Sequence, residues 1–80
     1  MNKQITDLAN KYISLQSRLD GGRNYKWEDA YHDHLELHKE VIKLGKACHS
    51  IANKLICSLL ADEIYGDVKR FRGLIPLEKW

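Results

Sequence analysis

The sequence has none of the features that mark membrane-spanning or secreted proteins. No apolar run approaches the roughly 18 residues that a transmembrane helix requires, and the N-terminal segment lacks the basic start and hydrophobic core of a signal peptide. Cysteine is scarce as well, with only Cys48 and Cys57 present. On one continuous helix these side chains would point to opposite faces, so we expect free thiols, as in a reducing compartment. The sequence therefore predicts a cytoplasmic protein that does not bind membranes.

Motifs of catalysis are also missing. The chain contains no glycine-rich phosphate loop, no nucleophile elbow and no pair of Cys-x-x-Cys motifs. Cys48 adjoins His49, but neighbouring residues on a helix point about 100° apart, which separates the thiol from the imidazole. The acidic residues in the middle of the chain are most simply a solvated helix face: Glu28, Asp29, Asp33, Glu36 and Glu40. We expect a protein that is not an enzyme and that needs no cofactor.

A strong net charge is absent too. The 13 basic and 11 acidic residues leave a formal charge of +2, which does not by itself indicate a nucleic-acid-binding protein. The 80 residues suffice for a single small helical domain, residues 1–80, near the lower limit of independent stability. Because a partner subunit would add buried surface, the short length favours an oligomer.

The dominant pattern that is present is a long apolar seam. Its members recur at alternating steps of three and four residues, which is typical of one face of an α-helix, and His34 is the only polar one. The members are Trp27, Ala30, His34, Leu37, Val41, Leu44, Cys48, Ile51 and Leu55. We predict that this seam belongs to a long helix over about residues 26–65.

A shorter repeat of the same kind precedes the seam. It consists of Ile5, Leu8, Tyr12, Leu15 and Leu19. This spacing predicts a first amphipathic helix over about residues 3–19. Two glycines, Gly21 and Gly22, then favour a helix end and a reversal of the chain. The predicted fold class is all-α, a helical hairpin whose second helix is the longer one.

Gly45 raises the question of whether the second helix is continuous. A glycine inside a helix costs about 1 kcal/mol relative to alanine. The seam nevertheless keeps its phase across Gly45, and no capping residue follows it directly, although Ser50 could cap a new helix. We favour a continuous or kinked helix, with a break near Gly45 as the alternative.

The length of the second helix predicts an assembly. From Trp27 to Tyr65 it would form a rod of about 58 Å, whereas the first helix covers only about 26 Å. The uncovered part of the seam would include Ile51, Leu55 and Leu59. We expect a homodimer that forms a four-helix bundle. The alternative is a chain that folds back at Gly45 as a three-helix bundle.

Two basic and aromatic segments are the candidate binding sites. Gly66 is predicted to end the long helix, leaving residues 67–80 as a tail in which Pro76 prevents further long helix. Cations bind phosphates, and an aromatic ring among them can stack on a base. The candidate residues for binding nucleic acid or another partner are Arg23, Lys26, Lys69, Arg70, Phe71 and Arg72.

A histidine pair offers a weaker alternative. His34 and His38 stand four residues apart, the spacing at which two imidazoles on a helix can share a zinc ion. The metalloprotease motif places a glutamate directly after its first histidine, whereas Glu36 stands one position later here. We therefore expect a structural pair and no metal.

These observations favour a small helical protein that binds a macromolecule and regulates or inhibits it. RNA or single-stranded nucleic acid is the leading partner and an acidic protein is the next. A structural or assembly subunit, or a protein-binding inhibitor without a nucleic-acid role, is the alternative, and a small metal-binding protein is less favoured. In size and composition the chain resembles the accessory regulators of bacteriophages and mobile elements, a resemblance that assigns no residue a role.

Overall fold

The computed structural model describes residues 2–21 and 25–76, which form three α-helices and no β-strand. The helices are α1, Lys3–Gly21, α2, Trp27–Ala47, and α3, Ile51–Leu74. The predicted all-α class is confirmed, and the arrangement is compatible with a helical bundle. Within the described ranges, no helix combines the length and the apolar character needed to cross a lipid bilayer.

The residue range of α1 nearly coincides with that of the first predicted helix. At its start, Asn2 Oδ1 accepts a hydrogen bond from the backbone N–H of Gln4 at 2.8 Å, which satisfies one of the unpaired N–H groups of the first turn. Ile5 and Leu15, both members of the predicted repeat, are buried in the core. The 3.6-residue periodicity therefore identified both the helix and its buried face.

The prediction of a continuous second helix is wrong. α2 ends at Ala47, and the backbone of Cys48 and Ser50 is extended, with ψ of 141° and 132°. Ser50 caps α3, because its Oγ accepts a hydrogen bond from the backbone N–H of Asn53 at 3.4 Å. The chain thus folds back three residues beyond Gly45, and the three-helix alternative describes the structure.

A second apolar repeat explains why the chain folds back. Its members recur at steps of four and three residues and all are buried: Cys57, Ala61, Ile64, Val68 and Phe71. The turn packs most of this repeat into one core with Leu37 and Val41 of α2. Burying one large apolar side chain contributes about 1.5–3 kcal/mol. Ending a helix loses only a few hydrogen bonds of about 0.5–1.5 kcal/mol each, so the free energy gained by burying the repeat exceeds the cost of the break.

α3 also continues through Gly66, contrary to the prediction that the helix ends there. Val68 and Phe71, which are 4% and 1% exposed, hold its last turns on the core. The segment beginning at residue 67 is therefore helical as far as Leu74 and does not form a separate tail there. Residues 77–80 of the predicted tail lie outside the described residues.

Gly45 allows α2 and α3 to approach each other closely, and it does not lie at the break between the two helices. A Cβ atom built on Gly45 would lie 3.1 Å from Cys57 Cβ, which is tighter than ordinary van der Waals contact. Because Gly45 is near the end of α2 and Cys57 near the start of α3, this approach also shows that the two helices run antiparallel. Gly66 provides a contrast, since nothing lies within 4 Å of its virtual Cβ.

The two glycines therefore predict opposite responses to alanine. Gly66→Ala should raise the free energy of unfolding by about 0.5–1 kcal/mol, because alanine favours a helix and meets no neighbour there. Gly45→Ala should give no such gain, or a loss, because the added methyl pushes α2 away from α3. Urea unfolding of both variants checks this. An equal gain at both positions would contradict the close approach.

Candidate functional site

A chain of hydrogen bonds runs through the centre of the bundle and begins at His34. This histidine is fully buried, as the seam predicted. Its Nδ1 lies 2.7 Å from the backbone oxygen of Ala30, and because that oxygen only accepts, Nδ1 carries the proton. Nε2 then accepts a hydrogen bond from the side-chain amide of Gln16 on α1, at 3.2 Å. Both nitrogens of the imidazole therefore have a hydrogen-bond partner in the protein.

Asp67 joins this chain to the third helix. The amide of Gln16 also donates to Asp67 Oδ2 at 2.9 Å, and the Tyr12 hydroxyl donates to the same oxygen. The guanidinium of Arg70 lies 3.3 Å from Oδ1. With its side chain only 17% exposed, Asp67 depends on these donors. One carboxylate therefore ties α1 to α3 and positions Arg70.

The pKa of Tyr12 rises above its ordinary value in this environment. Burial is the largest cause, followed by the hydrogen bond to Asp67 and the negative charge of that carboxylate. All three disfavour the phenolate. Tyr12 therefore remains protonated and donates to Asp67 throughout the neutral range.

The fold brings no third possible zinc ligand to His34 and His38 among the described residues. Both ring nitrogens of His34 are occupied by Ala30 and Gln16, and the His38 ring packs 5.2 Å from the ring of Tyr65. Among the described residues, no group of three or more histidine, cysteine or acidic side chains is placed to hold a metal ion.

The two cysteines meet across the turn, contrary to the opposite-face arrangement predicted for a continuous helix. Both are buried free thiols. Burial raises the pKa of Cys57, and the neighbouring thiol of Cys48 raises it further. A raised pKa keeps the thiol protonated and weakly nucleophilic. Both cysteines therefore belong to the core of the bundle.

The predicted C-terminal cations are exposed, but the aromatic ring among them is not. Lys69, Arg70 and Arg72 all lie on the exposed surface of α3. Phe71 is 1% exposed and stacks on Trp27 with ring centroids 5.9 Å apart. The prediction that this ring stacks on a base is therefore wrong, because its helical position points it into the core.

The other predicted binding segment is only partly described. Lys26 is exposed directly before the first residue of α2. Arg23 lies outside the described residues. Trp27, the next residue after Lys26, stacks on Phe71, so the start of α2 lies beside the part of α3 that carries Arg70 and Arg72.

Tyr65 supplies the exposed ring that the sequence analysis missed. Its side chain is 46% exposed, and the Nζ of Lys69 lies 5.0 Å from its ring centroid. The ring of His38, on the neighbouring helix α2, packs against it with the ring centroids 5.2 Å apart. The spacing of four residues between Tyr65 and Lys69 was the available signal, because it places both on one face of a helix.

Further cations extend this surface along α2 and α3. His38 and Lys46 line one open depression of about 360 Å³. Lys46 and Lys54 line the adjoining one, of about 350 Å³. We call the surface that carries His38, Lys46, Lys54, Tyr65 and Lys69 the basic groove.

Two acidic side chains of α2, Asp33 and Glu40, pair with residues of α1. Glu40 lies 3.2 Å from Lys11 of α1. Asp33 accepts a hydrogen bond from Tyr25 at 2.9 Å and lies 3.9 Å from Arg18. These pairs are exposed and contribute little stability, but they direct negative charge toward α1. Glu36 pairs instead with Lys39, which lines the same depression as His38 and Lys46.

Replacing Tyr12 by phenylalanine should lower the free energy of unfolding by about 1–3 kcal/mol, because Asp67 loses a donor in a largely buried place. The Tyr12→Phe variant should also lose less stability than the parent when the pH rises above 10. Folding raises the pKa of Tyr12 above 10.0, so the stability it contributes is complete below pH 10 and is lost as the pH rises beyond that.

Urea unfolding at neutral pH and above pH 10 measures both effects. Tyr65→Phe is the matched control, because it removes a hydroxyl from an exposed ring and keeps the ring contacts. Equal behaviour of the two variants would show that the Tyr12 hydroxyl does not support the bundle.

Similarity to known proteins adds no information about this surface. No family model, curated protein or solved structure matches the chain. The functional conclusion therefore depends on the basic groove and on the exposed surfaces beside it.

Proposed function

We propose that this protein is a small, non-enzymatic, cytoplasmic binding protein that regulates or blocks a macromolecule. Its proposed partner is RNA or another single-stranded nucleic acid, which lies along the basic groove. The observation that carries the proposal is the combination of unpaired lysines with an exposed aromatic ring on one side of the bundle.

The lysines of the groove are available to phosphates. None of Lys46, Lys54 and Lys69 forms an ion pair with a carboxylate of the described residues. Lys54 and Lys69 are separated by about 22 Å along α3. A flexible strand could place several phosphates along that length, and each contact would release condensed counterions.

Tyr65 gives the groove a second mode of binding. Its exposed ring is suited to base stacking, which tolerates any sequence because every base has a π face. Lys69 stands over the same ring and can reach the phosphate of a stacked nucleotide. This arrangement favours single strands, whose bases are free to stack, over a duplex.

The groove replaces the C-terminal tail as the centre of the proposed site. Lys69 belongs to both, whereas Phe71 is in the core and Arg70 lies beside Asp67. Arg72 is exposed on the same helix and remains a candidate contact at the edge of the groove.

The second candidate function is a structural subunit or an inhibitor that binds protein. It is favoured by the exposed apolar residues of α3, which a polyanion would not use. Ile51, Leu55 and Leu59 are 85%, 59% and 62% exposed. Such a function predicts association through that face and no affinity for nucleic acid.

Removing three groove charges tests the proposal. With parent protein, binding of a labelled single-stranded RNA should weaken with salt at a slope of about −0.7 per phosphate contact. Lys46→Ala, Lys54→Ala and Lys69→Ala combined should flatten the slope by about 2 on this scale. Tyr65→Ala should cost about 1–3 kcal/mol of binding free energy with the slope unchanged. Fluorescence anisotropy across a salt series measures both quantities.

The matched control removes the same number of positive charges from α1. It combines Lys3→Ala, Lys11→Ala and Arg18→Ala in one variant. This variant should keep most of the parent's salt slope, because its cations lie outside the groove. If both triple variants lose binding equally, net charge and not the groove is responsible. If the parent does not bind at low salt, the nucleic-acid proposal fails.

A further inference from the structure

Three large aliphatic side chains form an exposed row on the first half of α3. Ile51, Leu55 and Leu59 stand four residues apart and are 85%, 59% and 62% exposed. On a helix this spacing places them along one face, which we call the outer ridge. Single exposed apolar residues are ordinary, but a contiguous row of them marks an interaction surface.

The outer ridge faces away from the core of the bundle. The buried residues of α3 next to it in sequence, Cys57 and Ala61, are 3% and 2% exposed. The positions that flank Leu55 on the exposed face carry Ala52 and Ser58, both uncharged. An uncharged strip of this kind accepts another apolar helix without stranding a charge beneath it.

We propose that the outer ridge binds a second copy of this chain, with the two α3 helices antiparallel and a two-fold axis at Leu55. Ile51 and Leu59 lie at equal distances from Leu55, about 6 Å along the helix on either side. An antiparallel copy therefore opposes Leu55 to Leu55 and Ile51 to Leu59. A two-fold interface requires this reciprocity. When residue i of one copy contacts residue j of the other, residue j of the first copy contacts residue i of the second.

The charges at the two ends of the outer ridge favour this occupant and this direction. Asp62 and Glu63 follow Leu59 and are exposed. The opposite end is the N-terminus of α3, whose first turn carries no acidic residue and which bears the positive end of the helix dipole. An antiparallel copy brings Asp62 near that N-terminus, because Asp62 lies about 10 Å from Leu55 along the helix and the first residue of α3 lies about 6 Å from it on the other side. A parallel copy would instead place Asp62 beside Asp62.

The proposed dimer does not depend on nucleic acid. The outer ridge and the basic groove have no residue in common, and Lys54 and Tyr65 lie about 100° and about 80° around α3 from Leu55. The antiparallel two-fold keeps each flank of α3 next to the same flank of the other copy, so both grooves remain accessible on one side of the pair. Self-association can therefore be tested in buffer without any polyanion.

A single charge at the axis tests the interface. Parent protein at high micromolar concentration should sediment at twice the 9.3 kDa of one chain. Leu55→Glu places two like charges opposite each other and should weaken association at least ten-fold, with an unchanged helical circular dichroism spectrum. Ile13→Glu is the control, because Ile13 on α1 is equally exposed, at 60%, and lies outside the outer ridge. It should leave the dimer intact.

A parent protein that sediments as a monomer at that concentration would overturn the proposal. So would a dimer that Leu55→Glu leaves unchanged, or one that both substitutions weaken equally. Circular dichroism shows whether a variant that no longer dimerises is still folded. If Leu55→Glu loses helicity, the milder Leu55→Ser is tested in its place.

Cross-linking tests the direction of the pair. Chains carrying Ile51→Cys are mixed with chains carrying Leu59→Cys and oxidised mildly, while the native cysteines stay buried. The antiparallel pairing predicts a disulfide mainly between positions 51 and 59. Disulfides only between like positions would indicate a parallel pair, and no cross-link in a dimeric sample would place the interface elsewhere. Either result would overturn the proposed arrangement.

Discussion

The packing of α3 against α2 is the interaction on which the rest of the structure depends. It buries the repeat from Cys57 to Phe71, and the missing side chain of Gly45 allows a close approach of the two helices at Cys57. Because the turn between the helices is short, it sets the register in which α3 packs on α2. The same packing decides which residues remain outside, and so creates both the basic groove and the outer ridge.

The polar centre adds orientation to this apolar packing. His34 on α2, Gln16 on α1 and Asp67 on α3 are joined by hydrogen bonds, so each helix contributes one member. Apolar contacts alone tolerate small rotations of a helix, whereas a buried hydrogen bond is lost when its donor moves. The network therefore fixes the rotation of α3, which carries Lys69 on its outer side.

The candidate site shows how far periodicity can predict function. Lys69 and Arg72, identified from composition, are indeed exposed, but Phe71 was predicted for the same surface and belongs to the core. The error arises at Gly66, because glycine on its own favours a helix end. In the folded chain, burial of Val68 and Phe71 outweighs the low helix propensity of one glycine. Tyr65 then becomes the exposed ring.

The sequence by itself determined the all-α class, the position of α1 and the burial of His34, because these follow from periodicity within single helices. Only the tertiary structure decided where the second helix ends and which of two apolar repeats in α3 is buried. Residues 51–59 and 57–71 both have helical spacing, and local propensity does not choose between them. The choice depends on which face meets α2 once the chain has turned at Ser50, and that is a contact between residues distant in sequence.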